Sequence, residues 1–232
     1  MASLLSLILG LVALSAGGDA RAADADSPHP HQGIVEPFRG PPAPPVLDPD
    51  QVRALARGEA VLTTLENDGG GRGMAIQDIQ ATPATVWNRI LAFREYSDMV
   101  NYVVESEPYL ENGNDLRVRF VLKVLAFRFE YYIKHDFHPD QGYMSWTLDY
   151  TRESDFDDSV GYWVVQPHPE DPNQSRLFYS IDMRTRGWMP GVIRSIIARQ
   201  GLKDATRWVK REAEILQHDR KSAPALLGSD SP

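Results

Sequence analysis

From Val103 to Met183 apolar and polar residues alternate with a period of two, in blocks separated by turn-forming residues. That pattern predicts an antiparallel meander with strands at Val103–Tyr109, Asp115–Val124, Phe127–Phe137, Tyr143–Tyr150, Ser159–Gln166 and Ser175–Met183. Two earlier runs, Glu59–Leu65 and Gly73–Gln80, flank a glycine-rich stretch and predict a hairpin. No GK[ST] follows those glycines and the next element is a strand, so they are turn residues and not a phosphate loop. The period changes to 3.6 in two places. Thr82-Pro83 opens a helix with Val86, Trp87, Ile90 and Leu91 on one side, and a short helical turn follows at Tyr96–Val100. Pro190 opens the longest helix, to about Leu216, with Ile193, Ile196, Ile197, Trp208 and Val209 toward the core.

Strand registers follow from requiring like faces to meet, because a one-residue slip turns every side chain over. Pairing Val124 with Phe127 across Leu125-Ala126 sets Leu122 against Phe129, Phe120 against Tyr131 and Val118 against Ile133. The opposite face then carries Arg117, Arg119, Lys123, Arg128, Glu130 and Lys134. A four-residue loop at His138–Gln141 sets Ile133 against Trp146, and pairing Gln166 with Ser175 sets Tyr162 against Tyr179. The predicted inner face is Val118, Phe120, Leu122, Phe129, Tyr131, Ile133, Trp146, Leu148, Tyr162 and Tyr179, with His135 also inward. A helix about 10 Å across cannot fill a strongly curved sheet of this width. Either large side chains fill the space or a cavity remains, and aromatic stripes at strand spacing are more often core than ligand site.

Composition narrows the picture. Hydrophobic residues at 42% and charged residues at 24% are ordinary globular values, and 232 residues leave ample chain for a core after a short leader. The net charge of −8 and a pI near 5.2 argue against nucleic acid as a partner. Leu4–Ala16 is apolar and is followed by Ala20-Arg21-Ala22 and Ala23-Asp24-Ala25, the form of a secretory signal. Residues 1–22 are therefore expected to be a leader, and the protein to be exported, periplasmic or secreted. The proline-rich residues 23–47 read as a disordered linker, with His29 and His31 solvated in it. Residues 48–217 form the expected domain, opened by Asp48-Pro49 as a helix start, and 218–232 a flexible tail. The chain has no cysteine, so neither disulfides nor thiolate chemistry arises.

The order of elements carries a resemblance. A strand (MAIQDIQ), a proline-started helix with tryptophan (ATPATVWNRIL), a tyrosine-bearing helical turn (REYSDMV), a meander containing GYW and a proline-started long helix (WMPGVIRSIIARQ) succeed one another. Over roughly residues 58–216 this resembles the START-like helix-grip superfamily, SRPBCC, and within it the polyketide cyclase/dehydrase and coenzyme-Q-binding group. The resemblance implies an α+β helix-grip fold, in which a curved antiparallel sheet wraps around a long C-terminal helix, with two short helices after the first core strand. It also implies a cavity between sheet and helix that takes a lipid or another hydrophobic small molecule. Ubiquinone is one candidate among such ligands.

No GxSxG, HExxH or paired-cysteine motif points to catalysis, and no cofactor is implied. In His135-Asp136-Phe137-His138-Pro139-Asp140 the first two side chains point to opposite faces of a strand, which is poor metal geometry. His135 alone faces inward, where it could bond a ligand head group or act as an acid or base. Asp155, Asp157 and Asp158 read as a solvated edge loop. Two functional readings follow: a carrier of a hydrophobic molecule, or a cyclase or dehydratase using tyrosine hydroxyls and His135. Trp188 and Met189, between glycines and beside Arg184, Arg186 and Arg194, are expected to gate the cavity and to make transient membrane contact.

Overall fold

The computed structural model describes residues 22–67, 70–187 and 189–226. Asp48 caps the first helix, α1 (Pro49–Ala56), through a capping box in which its side chain accepts from Gln51 N–H and Gln51 accepts from Asp48 N–H. The hairpin β1 (Val61–Asn67) and β2 (Gly70–Ile79) comes next. Thr82 caps α2 (Pro83–Ile90), whose buried stripe includes Val86 and Ile90, and a helical turn leads into α3 (Tyr96–Met99). The meander is β3 (Val103–Asn112), β4 (Asp115–Val124), β5 (Phe127–His138), β6 (Tyr143–Leu148), β7 (Phe156–Pro167) and β8 (Ser175–Thr185). These strands form one curved, unclosed antiparallel sheet of eight in the order β1-β2-β8-β7-β6-β5-β4-β3. The non-local β2–β8 pairing joins the hairpin to the end of the meander.

The C-terminal helix is long and is bent into α4 (Gly191–Ala205) and α5 (Arg207–Leu226), with buried Thr206 at the joint. α5 packs on α2 and β2, and α4 crosses the sheet toward β4. Helical structure runs ten residues beyond Leu216, so the stretch expected as a loose tail is helix through Leu226.

The β4–β5 register is the expected one, with Phe120 opposite Tyr131 and Leu122 opposite Phe129. Its two-residue turn puts Leu125 at φ 55°, in the left-handed region that glycine occupies more cheaply. Two registers need correction. β5 runs to His138 before a turn over Pro139–Gly142, with Gly142 at φ 66°, and this sets Ile133 against Leu148 and His135 against Trp146. The faces are unchanged because the shift is two residues. β7 is offset from β8 by one residue, so Trp163, not Tyr162, pairs with Tyr179. Tyr162 therefore lies on the outer face.

That outer face is not bare. Tyr162, Tyr143, Val164, Phe178 and Ile76 form a second cluster, closed by Leu55 of α1 and by Phe38, Leu47, Val61 and Met74. Phe38 meets the Tyr162 ring edge-on at 4.7 Å. Residues 23–39, expected as a loose tether, are strapped over the sheet. Asp24 and Glu153 form a two-hydrogen-bond bridge, and His29 N–H donates to the Tyr150 carbonyl at 3.0 Å. The buried Asp158 carboxylate accepts from Ile34 N–H and Val35 N–H, both at 2.7 Å. The acidic loop expected to be solvated thus anchors the strap: its carboxylates satisfy backbone donors that proline-rich chain cannot pair within itself.

Candidate functional site

Between the concave sheet and the C-terminal helices lies a cavity of about 950 Å³. β4 and β5 present Phe120, Leu122, Tyr131, Ile133 and His135 to it, since alternate residues of a strand share a face. Trp146 enters from β6, Ser159 and Trp163 from β7, and Tyr179, Ile181 and Met183 from β8. The helical side supplies Tyr96 of α3, Leu202 of α4 and Trp208 of α5. Trp146 stacks on Tyr179 at 5.6 Å, Phe120 on Tyr131 at 5.4 Å, and Trp163 lies 4.4 Å from Tyr179. Aromatic rings supply broad, stiff apolar area, which is what an apolar ligand needs from a wall.

Gly161 sets one part of this wall. A Cβ there would sit 2.1 Å from Trp146 Cζ2 and 2.4 Å from the Ser180 carbonyl oxygen. The missing side chain lets the indole lie flat against β7, where its Nε1–H points to Ser159 Oγ at 3.4 Å.

The buried polar groups of the cavity carry no charge at neutral pH. His135 Nδ1–H donates to the Leu116 carbonyl at 3.1 Å, which leaves Nε2 as the lone-pair nitrogen, without a hydrogen bond among the described residues. Burial lowers the His135 pKa to about 4, so the ring is a neutral imidazole at pH 7. Burial pushes Tyr131 and Tyr179 far above the ordinary phenol range. Neither hydroxyl has a hydrogen-bond partner among the described residues, whereas Tyr96 donates to the Ile90 carbonyl at 2.5 Å. The charged lining residues, Arg72, Arg194 and Asp204, are exposed or half-exposed.

Of the residues singled out in the sequence, Phe120, Leu122, Tyr131, Ile133, His135, Trp146 and Tyr179 line this cavity together. Val118 and Phe129 are fully buried in packed core and do not line it. Tyr162 is removed by the β7 register. Met189 is buried against Val124, Phe129, Phe156 and Ile193, so it anchors the start of α4 and is not an exposed gate; Trp188 lies outside the described residues. Arg184 pairs with Asp182 at 3.1 Å and Arg186 with buried Glu153 at 3.0 Å, so neither is held out toward a membrane. Sequence reasoning missed Trp163, Ser159, Tyr96, Leu202 and Trp208 as wall residues. Trp208 stood on the core stripe of the predicted long helix and Tyr96 in a predicted helical turn, and neither carried a signal that it faced a cavity.

His29, His31 and Asp157 also converge, with one ligand atom of each within 4.8 Å of the others. Each imidazole accepts a backbone N–H at Nδ1, from Ser154 at 3.4 Å and from Gly33 at 3.1 Å. Their Nε2–H groups therefore donate to Asp157, at its carbonyl and carboxylate respectively. This tautomer commits both rings to latching the strap and turns hydrogens, not lone pairs, toward the cluster.

The comparisons agree with this geometry. A family model described as polyketide cyclase/dehydrase and lipid transport matches residues 79–210, more than half of the chain. In structure, the chain is similar to a START superfamily protein from Mycobacterium smegmatis, at 14% identity and TM-score 0.53, over 64% of this chain and 99% of that one. It is similar to the Zhui aromatase/cyclase from Streptomyces sp. R1128, at 16% identity and TM-score 0.52, over 66% and 94%. It is also similar to a STAR-related lipid transfer protein from Xanthomonas axonopodis, at 9% identity and TM-score 0.52, over 66% and 93%. No curated protein matches it in sequence. At such identities the structural likeness speaks for the fold, and the family match over the cavity-forming region carries the assignment: the chain belongs to the polyketide cyclase/dehydrase and lipid-transport family of START-like, SRPBCC helix-grip proteins.

Proposed function

We propose that this protein encloses one hydrophobic small molecule or lipid and carries it without transforming it. The observation behind this reading is the chemistry of the cavity: about 950 Å³ walled by aromatic and aliphatic side chains, in which every buried polar group is neutral. That volume is at the upper end for small-molecule sites. The hydroxyls of Tyr131 and Tyr179, unpaired among the described residues, and the Nε2 of His135 suit one oxygenated end of an otherwise apolar ligand. Loading from a bilayer belongs to the same reading. Leu125, Phe127 and Val192 are exposed apolar residues beside Val124, Phe129 and Ile193, which pack together under α4.

The test is native mass spectrometry of the full chain purified from its own host, followed by solvent extraction, alongside uptake of a fluorescent fatty acid. Co-purification of an apolar molecule, and uptake reduced by Phe120→Trp in a folded protein, is the expected result. Protein that emerges empty and takes up no fatty acid would refute the carrier reading. A cyclase or dehydratase reading is favoured by one feature, the lone pair of a neutral His135 in the same cavity as the Tyr131 and Tyr179 hydroxyls. Turnover of a poly-β-ketone analogue that disappears in His135→Gln would decide for it.

A further inference from the structure

Water added across the Ala22–Ala23 peptide leaves a carboxylate on Ala22 and an α-ammonium on Ala23. The Ala20-Arg21-Ala22 sequence is the small-x-small pattern that a signal-type peptidase reads. The nitrogen that this cut would free is already placed: Ala23 N lies 3.1 Å from Asp155 Oδ1. Asp155 is buried, and its other carboxylate oxygen accepts from Glu130 N–H at 2.7 Å, so the carboxylate is fixed in orientation by β5. A cut at the second small-x-small site, Ala23-Asp24-Ala25, would instead delete the Asp24–Glu153 bridge that starts the strap.

We propose that the chain is processed after Ala22 and that the new α-ammonium is a structural element, held by the Asp155 carboxylate at the root of the strap. In the unprocessed chain Asp155 is a buried carboxylate receiving two neutral N–H donors. Burial raises its pKa, while the backbone N–H bonds from Glu130 and Ala23 and the nearby Arg186 hold it down. Glu153 and Asp157 flank it in the same loop, Glu153 already paired with Arg186. An ammonium replaces one neutral donor of the buried Asp155 carboxylate by a charged one. Charge-assisted hydrogen bonds are roughly twice as strong as neutral ones. Processing would then do more than remove a leader. It would lock the strap, and with it the outer cover of β7.

The experiment has two arms. The full chain is expressed in a bacterium with an export pathway and its exported form is sequenced from the N-terminus. The form beginning at Ala23 is then compared by urea denaturation with the same chain still carrying Ala20-Arg21-Ala22, each also as Asp155→Asn. The strap's first contacts, from Ala23 N–H and Asp24, and every named element lie within both forms. The expected results are an N-terminus at Ala23 and a folded-to-unfolded ratio about tenfold higher for the free amine at pH 7. That advantage should vanish in Asp155→Asn and shrink above about pH 9, where an α-amine loses its charge. Acetylation of the Ala23 amine makes the same comparison should Asp155→Asn fail to fold. An N-terminus at Asp26 or an intact Met1 overturns the processing site. An N-terminus at Ala23 with equal stability of the two forms, or an advantage that survives Asp155→Asn, overturns the docking.

Discussion

The buried imidazole of His135 makes stability depend on pH in a direction the structure fixes. In the unfolded chain the ring has its ordinary pKa of 6.5; in the folded protein burial lowers it to about 4. As pH falls through 6.5 the unfolded state takes up a proton that the folded state refuses, so stability is full above 6.5 and is lost progressively toward 4. At about 1.4 kcal/mol per pH unit, the drop from 6.5 to about 4 corresponds to about 3 kcal/mol. His29, also buried and also lowered, acts in the same direction, so the wild-type slope alone cannot isolate His135. The difference between wild type and His135→Gln can. Urea denaturation of both between pH 4 and 8 should give curves separated by a constant amount above pH 7, with the gap moving in favour of the variant by about 3 kcal/mol at the acid end. Parallel curves across the range would refute the argument and would mean that the ring takes up its proton without leaving the fold, through water in the cavity.

Tyr131→Phe and Tyr179→Phe remove hydroxyls without a partner among the described residues, so each should leave stability unchanged and weaken an oxygenated ligand by about 3- to 10-fold, read by titration calorimetry. Gly161→Ala puts a Cβ against both an indole and a fixed carbonyl; it should cost about 3 kcal/mol, the upper end for overpacking, and lower ligand capacity by pushing Trp146 into the cavity. Asp158→Ala strands the donors of Ile34, Val35 and the Tyr150 hydroxyl, and should cost at least about 3 kcal/mol and open residues 30–45 to limited proteolysis. Leu125→Gly relieves a left-handed backbone at an exposed side chain, and should raise stability by about 0.5–1 kcal/mol in the same denaturation assay.

The parts of this site that were legible are those where parity carries information. In β4 and β5 the charged residues share one parity, so only registers of that parity keep Arg117, Arg119 and Lys134 off the apolar face, and the short turn at Leu125-Ala126 selects the one observed. Parity could not detect the two-residue shift between β5 and β6, because it leaves every face as it was. β7 failed for a different reason. Val160, Gly161, Tyr162, Trp163, Val164 and Val165 are all buried, so alternation offers no signal and either face could turn inward. A strand apolar at every position is nevertheless a signal of its own, since it requires cover on both sides. The cover proved to be the segment with no periodicity at all, whose docking depends on single anchors, Phe38 on Tyr162 and backbone donors on Asp158, rather than on a repeating pattern.

That two-sided burial bears on how a cavity of this size persists. Side chains facing an unfilled space lose dispersion contacts on one side, which favours collapse of the wall. Here the wall is backed. Tyr162, Val164 and Phe178 pack outward against α1 and the strap, while their neighbours Trp163 and Tyr179 face the cavity. The Asp158 carboxylate holds Tyr150, Ser159 and the strap together in one hydrogen-bonded knot at the end of β7. Opposite, the charged face of β4 and β5 is cross-linked by Arg119 with Glu105 and Glu130, and by Arg117 with Asp115 and Asp149. The two halves of the sheet are thus stiffened from outside by different means, apolar cover on one and ion pairs on the other. The inner face is left free to be selected for what it holds.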